Sequence, residues 1–250
     1  MSFNHSNRRV LITGAANGLG LGIANVLAAA GAHLVLADVD PKVLERANES
    51  QFGGRAVAFV HDLAAPDVAE ALIDGSVQAL GSLNGLVNCG ALSFHKAALE
   101  TTVQEFDHVV AVNQRAPYFL TTRFASQLRA DEEDACVVNI ASVNALVGNP
   151  NLTAYAGTKG ALVAMTRGLA VELAPKVRLV AISPGGVRTF YTEKLIESGQ
   201  MDVETHYNSI LIKRFITVEE IGDLVSFLFS PGARSVTGAN WVLDGGYTTR

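Results

Sequence analysis

The residues with the clearest chemical potential are a tyrosine and a lysine four positions apart, Tyr155 and Lys159, in the stretch YAGTK. Both side chains ordinarily hold a proton at neutral pH, since their reference pKa values lie near ~10 and ~10.4. On a helix such residues share a face, and an opposite charge within ~4–6 Å shifts a pKa by roughly 1–3 units. The spacing therefore predicts that Lys159 lowers the pKa of Tyr155, which then acts as a general acid and base. The alternative is an ordinary solvated helix face.

A serine precedes this pair at the end of an apolar run. Ser142 closes the stretch CVVNIAS, 13 residues before Tyr155. At the C-terminal end of a strand, its hydroxyl can hydrogen-bond the oxygen of a reacting group and hold that oxygen near the phenol. Taken alone, Ser142 is equally consistent with a turn serine.

A glycine-rich turn, TGAANGLG, lies between the first apolar run and an amphipathic helix, with Gly14, Gly18 and Gly20 in it. Glycine permits a tight turn and lets a pyrophosphate approach the N-terminus of the helix, where free N–H groups favour an anion. Asp38 ends the second apolar run, where an acid binds the ribose hydroxyls of adenosine and repels a 2′-phosphate. With Lys42 as the nearest cation, the pattern predicts NAD rather than NADP. Alternatively, Asp38 caps the following helix.

These residues lie at the ends of alternating strand and helix patterns. Seven short apolar runs predict strands buried on both faces of a parallel sheet: 10–13, 33–38, 56–60, 85–89, 136–140, 177–182 and 240–244. Helical patterns lie between them, at 19–30, 41–50, 66–79, 102–129, 153–174 and 217–229. The alternation predicts an α/β fold with right-handed βαβ units and one doubly wound sheet, which binds ligands beyond the carboxyl ends of its strands.

Length and composition limit the possible classes of protein. A chain of 250 residues with 49% hydrophobic and 17% charged residues fits one large domain, 1–250. The net charge of −5 argues against a nucleic-acid surface. Two cysteines are too few for a disulfide framework, and they lack the CxxC spacing of a metal site. With neither a signal peptide nor an apolar membrane span in the sequence, we expect a cytoplasmic protein.

The sequence resembles the short-chain dehydrogenase/reductase family over essentially all 250 residues. The resemblance rests on TGAANGLG (13–20), HDL (61–63), NCGA (88–91), VN (112–113), Ser142, YAGTK (155–159), PGGVRT (184–189) and WVLDGG (241–246). It implies a Rossmann-type sheet of seven parallel strands, a nicotinamide cofactor and redox chemistry between alcohols and carbonyls. It also implies a homotetramer built partly on the helices at 102–129 and 153–174. The TGxxxGxG spacing is that of the short branch of the family.

The resemblance also assigns roles to individual residues. Asn113, Ser142, Tyr155 and Lys159 correspond to the catalytic group, with Asn113 holding a water that links Lys159 to solvent. The residues that correspond to cofactor contacts are Gly14, Asn17, Gly18, Leu19, Gly20, Asp38, Asp62, Leu63, Asn88, Gly90, Tyr155, Lys159, Pro184, Gly185, Val187 and Thr189. Two positions depart from the family pattern: Cys89, expected to be a small buried side chain without a redox role, and Val180, where relatives commonly carry asparagine.

The substrate is the least determined part of the sequence. Residues of about 189–213 correspond to the mobile lid of the family. We expect Ser142, Asn144, Asn149 and Tyr191 to line the pocket, and the two asparagines hint at a hydroxylated substrate such as a sugar or polyol. Asparagine is also a common turn residue.

These patterns leave three hypotheses for function. The first is an NAD-dependent dehydrogenase that transfers hydride from the carbinol carbon of a secondary alcohol, for which sugars, polyols and cyclic alcohols are candidates. The second is a 3-oxoacyl thioester or carbonyl reductase of the same family, and Asp38 counts against it. The third is a non-catalytic dinucleotide sensor, which would be expected to have lost one of Ser142, Tyr155 or Lys159.

Overall fold

A computed structural model of the chain describes residues 3–132, 134–199 and 202–249. Seven strands form one parallel sheet in the order β3-β2-β1-β4-β5-β6-β7. Their bounds are β1 Arg9–Thr13, β2 His33–Asp38, β3 Ala56–Val60, β4 Gly85–Asn88, β5 Ala135–Ile140, β6 Val177–Pro184 and β7 Ala239–Leu243. The predicted Rossmann-type fold with seven parallel strands is confirmed.

Helices cover both faces of the sheet. Their bounds are α1 Gly18–Ala29, α2 Lys42–Ala47, α3 Val68–Leu80, α4 Val103–Val110, α5 Ala116–Ser126, α6 Thr153–Leu173, α7 Phe190–Glu197, α8 Val203–Ser209 and α9 Val218–Leu228. The helical pattern at 41–50 is realised only as the short α2 and a 3₁₀ turn at Ser50–Phe52. No helix within these described ranges is both long and apolar enough to cross a bilayer.

Two hydrophobic clusters hold the layers together, and alternate residues of each strand belong to opposite clusters. In β1, Val10 and Ile12 point into the cluster shared with α1 and α9, whereas Leu11 points into the cluster shared with α3 and α5. All three are fully buried. Because burying one such side chain stabilises a fold by about 1.5–3 kcal/mol, this two-sided burial accounts for the continuous apolar runs of the sequence.

The long helix predicted at 102–129 is interrupted. A capping box between Thr102 and Glu105 begins α4, and a π-helical turn at Ala111–Arg115 separates α4 from α5. This turn contains Asn113, which is buried. A π turn is rare and is often found at functional sites.

The strand order reverses between β1 and β4, which lie side by side although β2 and β3 come between them in sequence. In parallel sheets, a crevice opens beyond the carboxyl ends of the strands at such a switch point. Thr13, Asp38 and Asn88 end their strands at this edge. The fold therefore brings the glycine-rich turn, the acid after β2 and the NCGA stretch to one place.

Candidate active site

The glycine-rich turn is shaped by close backbone contacts. Gly14 has φ +70°, in the left-handed region that favours glycine. A Cβ on Gly20 would lie 2.1 Å from the Gly14 carbonyl oxygen, so the first turn of α1 packs directly on the turn before it. Asn17, which precedes α1, makes no side-chain capping hydrogen bond in the described part of the chain. The N-terminus of α1 can therefore receive an anion.

Asp38 supports this turn. Its Oδ2 accepts a hydrogen bond from the Ala16 backbone N–H at 2.9 Å, and its Oδ1 accepts one from Asp40 N–H at 3.0 Å. Asp40, in turn, accepts from the N–H of Lys42 at the start of α2. Capping of the next helix, the alternative role considered for Asp38, is thus carried out by its neighbour.

Arg46, which the sequence analysis did not single out, contacts the glycine-rich turn. The Arg46 Nε donates to the Ala16 carbonyl oxygen at 3.0 Å, and its NH1 pairs with Glu49 at 2.6 Å. The ion pair leaves the Arg46 charge balanced.

A cavity of about 500 Å³ runs along the carboxyl ends of the central strands. Nine of the residues predicted to hold the cofactor lie in its wall: Gly14, Asn17, Leu19, Gly20, Asp38, Asp62, Leu63, Gly90 and Tyr155. The other predicted contacts (Gly18, Asn88, Lys159, Pro184, Gly185, Val187 and Thr189) lie outside the described wall. The wall is completed by residues that were not among the predicted cofactor contacts: Ala37, Val39, His61, Cys89, Ala91, Leu92, Ser93, His108 and Val112.

Thr13 connects β1 to the NCGA stretch and was missed in the sequence. Its Oγ1 accepts hydrogen bonds from the backbone N–H groups of Cys89 at 3.1 Å and Gly90 at 3.0 Å. A Cβ on Gly90 would come within 2.6 Å of Leu63 Cδ1, so a larger residue here would have to displace the end of the Leu63 side chain. Burial raises the pKa of the Cys89 thiol to about 12, which keeps it protonated.

Asn88 lies inside the sheet. Its Nδ2 donates to Asn139 Oδ1 at 2.8 Å, and Asn139 Nδ2 donates to Thr166 Oγ1 of α6 at 2.9 Å. These buried amides tie β4, β5 and α6 together below the cavity. Asn88 therefore has the structural environment expected of an asparagine that steadies the central sheet.

Asn113 fixes the wall of the cavity from the π turn. Its Oδ1 accepts from the Leu92 N–H at 2.7 Å, while its Nδ2 donates to the Leu92 carbonyl at 3.0 Å and to Thr158 Oγ1 at 3.2 Å. The Asn113 amide thus hydrogen-bonds both the N–H and the carbonyl of Leu92, a residue of the cavity wall. Thr158 is the neighbour of Lys159 on α6.

Lys159 is almost completely buried, with 3% of its surface exposed. Its Nζ donates to the Ile140 carbonyl at 2.8 Å and lies 5.7 Å from the centre of the Tyr155 ring. Burial lowers the pKa of Lys159 to about 8. The first turns of α6 therefore place the ammonium beneath the phenol, at the carboxyl end of β5.

The pKa of Tyr155 moves in the direction opposite to the one expected from the sequence. Burial of the phenol raises this pKa, and the hydrogen bond with Ser142 opposes the rise. The expectation was wrong because it considered the charge of Lys159 without the loss of water around the phenol, and desolvation is the larger effect. A phenolate in this protein needs further stabilisation from donors and positive charge.

Ser142 is held by the loop that follows β5. Its Oγ accepts from the backbone N–H of Asn144 at 3.1 Å and from Asn144 Nδ2 at 3.2 Å. Asn149 Nδ2 donates to Asn144 Oδ1 at 2.7 Å, and Tyr247 donates its hydroxyl to Asn149 Oδ1 at 3.2 Å. The structure therefore brings together three of the predicted pocket residues and adds Tyr247, which the sequence gave no reason to select.

The PGGVRT turn connects β6 to the helices α7 and α8. Gly185 N–H donates to the Leu243 carbonyl, and Val187 forms a bridge with Ile216. Thr189 Oγ1 accepts from Thr192 N–H and so caps α7. The Thr189 hydroxyl therefore already has a hydrogen-bond partner in the protein, beside the predicted cofactor site.

The segment predicted as a lid contains two short helices, α7 and α8. The His206 ring stacks on Phe215 with centroids 4.3 Å apart. A Cβ on Gly186 would come within 2.3 Å of this imidazole, so α8 is packed on the PGGVRT turn. The side chain of Tyr191, one of the predicted pocket residues, lies outside the described residues, as do Gln200 and Met201.

The residues of the cavity fit a dinucleotide. The glycine contacts leave room for a phosphate at α1, Asp38 offers carboxylate oxygens at one end, and Tyr155 offers a hydroxyl at the other. The cavity volume lies in the range of about 300–1,000 Å³ found for small-molecule sites. A nicotinamide dinucleotide needs an anion site for its phosphates, a partner for its ribose and a proton-transfer residue near its nicotinamide. This crevice offers all three.

Comparison with known proteins agrees with this geometry. The short-chain dehydrogenase family model described as "Enoyl-(Acyl carrier protein) reductase" matches residues 14–248. The chain belongs to the short-chain dehydrogenase/reductase family. Among curated relatives, the chain is 33% identical to 2-(S)-hydroxypropyl-CoM dehydrogenase 3 of Xanthobacter autotrophicus, over 99% of each chain. It is 31% identical to cyclopentanol dehydrogenase of Comamonas sp., over 97% of this chain and 98% of that one.

Solved structures of family members agree with the fold. A 3-ketoacyl-(acyl-carrier-protein) reductase from Brucella melitensis, complexed with NADH, is 31% identical, with a TM-score of 0.86 over 96% of this chain and 98% of that one. A short chain dehydrogenase from Burkholderia cenocepacia J2315, in complex with NADP, is 26% identical, with a TM-score of 0.86 over 97% of this chain and 98% of that one. As a short-chain dehydrogenase/reductase, the chain is an oxidoreductase of CH–OH groups that uses a nicotinamide dinucleotide.

Proposed function

We propose that this short-chain dehydrogenase/reductase is an NAD-dependent dehydrogenase of secondary alcohols. The observation that carries the proposal is the grouping of Ser142, Tyr155 and Lys159 at the end of β5, beside a cavity whose other end holds Asp38. At one end of the cavity Tyr155 can transfer a proton, and at the other end Asp38 can discriminate between NAD and NADP.

The preference for NAD follows from charge. Asp38 presents a carboxylate in the cavity wall, and a carboxylate repels the 2′-phosphate of NADP while accepting hydrogen bonds from free ribose hydroxyls. The cation that contacts this turn, Arg46, is paired with Glu49 and bound to the Ala16 carbonyl. Its guanidinium is therefore already engaged by protein groups.

In alcohol oxidation, Tyr155 acts as the general base that takes the proton of the substrate hydroxyl. Ser142 donates a hydrogen bond to the same oxygen and holds it near the phenol. The Lys159 ammonium favours the phenolate, which burial alone disfavours. A bound nicotinamide supplies the acceptor for the hydride that leaves the carbinol carbon.

Other cofactor contacts belong to this proposal as well. Asp62 and Leu63 lie in the cavity wall, where they can contact the adenine. The turn with Pro184, Gly185, Val187 and Thr189 is assigned to the nicotinamide carboxamide. The proton-exit role of Asn113 stays a prediction, because its described hydrogen bonds go to Leu92 and Thr158.

The substrate class is proposed from the relatives and from the pocket. Two relatives are named for cyclopentanol and for 2-(S)-hydroxypropyl-CoM, and a cyclopentanol or 2-hydroxypropyl group carries a secondary hydroxyl. The side-chain amides of Asn144 and Asn149 are hydrogen-bonded to each other and to Ser142 and Tyr247. A cyclic or short aliphatic alcohol therefore fits better than a sugar or polyol, which would need free polar groups.

A homotetramer is also part of the proposal. The helices α4 and α5 carry exposed apolar side chains, with Val103 70%, Phe106 48% and Phe119 51% exposed. Large apolar side chains left exposed on neighbouring helices are typical of a surface that another subunit covers. Sedimentation analysis of the purified protein tests the assembly, since a monomer at micromolar concentration would contradict it.

The enzymatic proposal is tested by turnover. The purified protein is incubated with NAD⁺, and separately with NADP⁺, against cyclopentanol, cyclohexanol, short secondary alcohols, sugars and polyols at mildly alkaline pH. The absorbance of reduced nicotinamide is recorded. We expect turnover of cyclic or aliphatic secondary alcohols with NAD⁺ and its loss in Tyr155→Phe.

Three other outcomes would contradict the proposal in different ways. Preference for NADP⁺ would overturn the role of Asp38. Reduction of 3-oxoacyl thioesters without oxidation of any alcohol would favour the reductase hypothesis. Tight NADH binding without turnover of any compound would favour the sensor.

A further inference from the structure

A run of hydrogen bonds connects Ser142 with the C-terminal turn of the chain. It passes through three partly buried side chains, Asn144, Asn149 and Tyr247, which we call the serine relay. Tyr247 and Asn149 are 98 residues apart in sequence and 3.2 Å apart in the fold. The relay approaches Ser142 from the side of the loop at 144–149.

The relay has a direction. An asparagine amide has one donating and one accepting end, so each bond fixes the orientation of the next amide. In the direction found here, Tyr247 donates to Asn149, Asn149 donates to Asn144, and Asn144 donates to Ser142. The reverse direction is the only other consistent one, and in it Ser142 would donate its proton to Asn144.

The direction decides what Ser142 can do. Its Oγ accepts two hydrogen bonds, from the backbone N–H and from the Nδ2 of Asn144. A hydroxyl has two lone pairs and one proton, so only the proton remains for the reacting oxygen and the Tyr155 phenol. In the reverse direction, that proton would point away from both.

We propose that the serine relay positions Ser142 as a hydrogen-bond donor towards the phenolic oxygen of Tyr155 and the substrate oxygen. Asn144, Asn149 and Tyr247 act through Ser142 and are positioning residues. This inference rests on the proposed proton transfer by Tyr155, whose charged form is stabilised by a donor and not by an acceptor.

The C-terminal turn holds Tyr247 in place. The Asp244 carboxylate accepts from the N–H groups of Gly246 at 2.8 Å and Thr248 at 2.7 Å. The Gly245 carbonyl accepts from the N–H groups of Leu211 at 2.9 Å and Ile212 at 3.1 Å, just beyond α8. The turn that carries Tyr247 therefore also holds the C-terminal end of the predicted lid.

Three variants separate the relay from other causes. Tyr247→Phe removes one hydroxyl and leaves the backbone bonds of the turn. Asn149→Leu interrupts the relay without charge. Asn149→Asp places an acceptor opposite Asn144 Oδ1, which reverses the Asn144 amide and draws the Ser142 proton towards it. Tyr118→Phe, which removes a hydroxyl from α5 far from the relay, is the matched control.

The readout is the ionisation of Tyr155, followed by NMR of protein labelled at the tyrosine ring carbon bonded to oxygen. The signal is assigned by its absence in Tyr155→Phe and is titrated with and without NAD⁺. Lys159 on α6 lies against the Tyr155 ring, and Cys89 after β4 and His108 of α4 line the cavity with Tyr155; every variant leaves these groups unchanged. A change in the titration of the two uncharged variants, Tyr247→Phe and Asn149→Leu, therefore reports the relay, whereas Asn149→Asp also adds a negative charge.

We expect the Tyr155 midpoint to rise by about half to one pH unit in Tyr247→Phe and Asn149→Leu, and further in Asn149→Asp. We expect kcat for the alcohol to fall about five-fold in the first two variants, as for one lost hydrogen bond, with KM for NAD⁺ unchanged. The control should match the wild type in both measurements.

A folded Tyr247→Phe with the wild-type Tyr155 midpoint would overturn the inference. A change confined to KM for the alcohol would do the same, because it would make Asn149 a substrate contact. If the wild type oxidises no alcohol, the proposed function fails, but the titration still decides whether the relay acts on Tyr155.

Discussion

At the Asp38 end of the cavity the wall is mostly main chain, whereas at the Tyr155 end it depends on side chains from distant parts of the sequence. Gly14, Gly20 and Gly90 are packed so closely that a Cβ would collide with backbone or side-chain atoms. Around Tyr155, the groups that matter are an ammonium and a hydroxyl, and a relay of amides holds that hydroxyl. The function of the Asp38 end therefore depends on the shape of the backbone. The function of the Tyr155 end depends on polar side chains and on the pKa of the phenol.

The comparison implies that changes at the two ends affect different measurements. Changes at the main-chain end should weaken cofactor binding, and changes at the side-chain end should alter proton transfer while the cofactor still binds. The predictions below follow in order of decreasing effect.

The largest effect on cofactor binding is expected for Gly20→Ala. The new methyl group would lie 2.1 Å from the Gly14 carbonyl oxygen, so either the turn or the start of α1 must move. We expect the affinity for NADH, measured by fluorescence titration, to fall by about 100-fold or more, since overpacking costs 1–3 kcal/mol and also distorts the anion site. In the control Gly168→Ala, the methyl meets no described atom within 4 Å, and affinity should be unchanged.

Lys159→Met tests the cost of burying the ammonium. The folded pKa of Lys159 is about 8, and the unfolded value is ~10.4, so the unfolded chain binds more protons between these pH values. Stability of the wild type should therefore rise relative to Lys159→Met as pH increases from 8 to 10, by about 2–3 kcal/mol in total. Urea denaturation at several pH values measures this difference. A constant difference would show that Lys159 is not neutralised in the folded protein.

Thr13→Val tests the connection between the two ends. The variant keeps the shape of the side chain but leaves the N–H groups of Cys89 and Gly90 without their acceptor. We expect the free energy of unfolding to fall by about 2 kcal/mol, because two donors lose their partner near the cavity. Thr13→Ser restores the oxygen and should recover most of the loss in chemical denaturation.

The smallest effect is expected for Asp38→Asn. The amide oxygen can accept only one of the two backbone N–H bonds that Asp38 receives, from Ala16 and from Asp40, and the neutral side chain no longer repels a phosphate. We expect the ratio of kcat/KM for NAD⁺ to that for NADP⁺ to fall about ten-fold, which corresponds to roughly 1.4 kcal/mol. Asp40→Asn is the control, and an equal change there would show that general surface charge, rather than Asp38, selects the cofactor.

Much of the main-chain end could be predicted from sequence because its signals are local. The strand bounds 33–38 and 56–60 match the structure, and the glycine-rich turn falls between β1 and α1 as expected. The π turn at Ala111–Arg115 could not be predicted, because the helical pattern continues through it without a break. Its cause is tertiary, since Asn113 reaches across to Leu92.

The side-chain end could be predicted only in part. Ser142, Tyr155 and Lys159 were found because they belong to short motifs. Thr13 and Tyr247 were missed because their partners are 76 and 98 residues away. The pKa of Tyr155 was predicted in the wrong direction, since burial depends on the packed fold and not on the spacing of two residues.

The most direct test of the account is to measure NADH affinity and alcohol turnover side by side in Tyr155→Phe. Tyr155 supplies the proton-transfer group at one end of the cavity, while the contacts that hold the dinucleotide lie mostly at the other. We predict NADH affinity within about two-fold of the wild type and a loss of turnover of about 10²–10⁴-fold, as for removal of a general acid–base group. Retained turnover, or a parallel loss of NADH binding, would contradict the account.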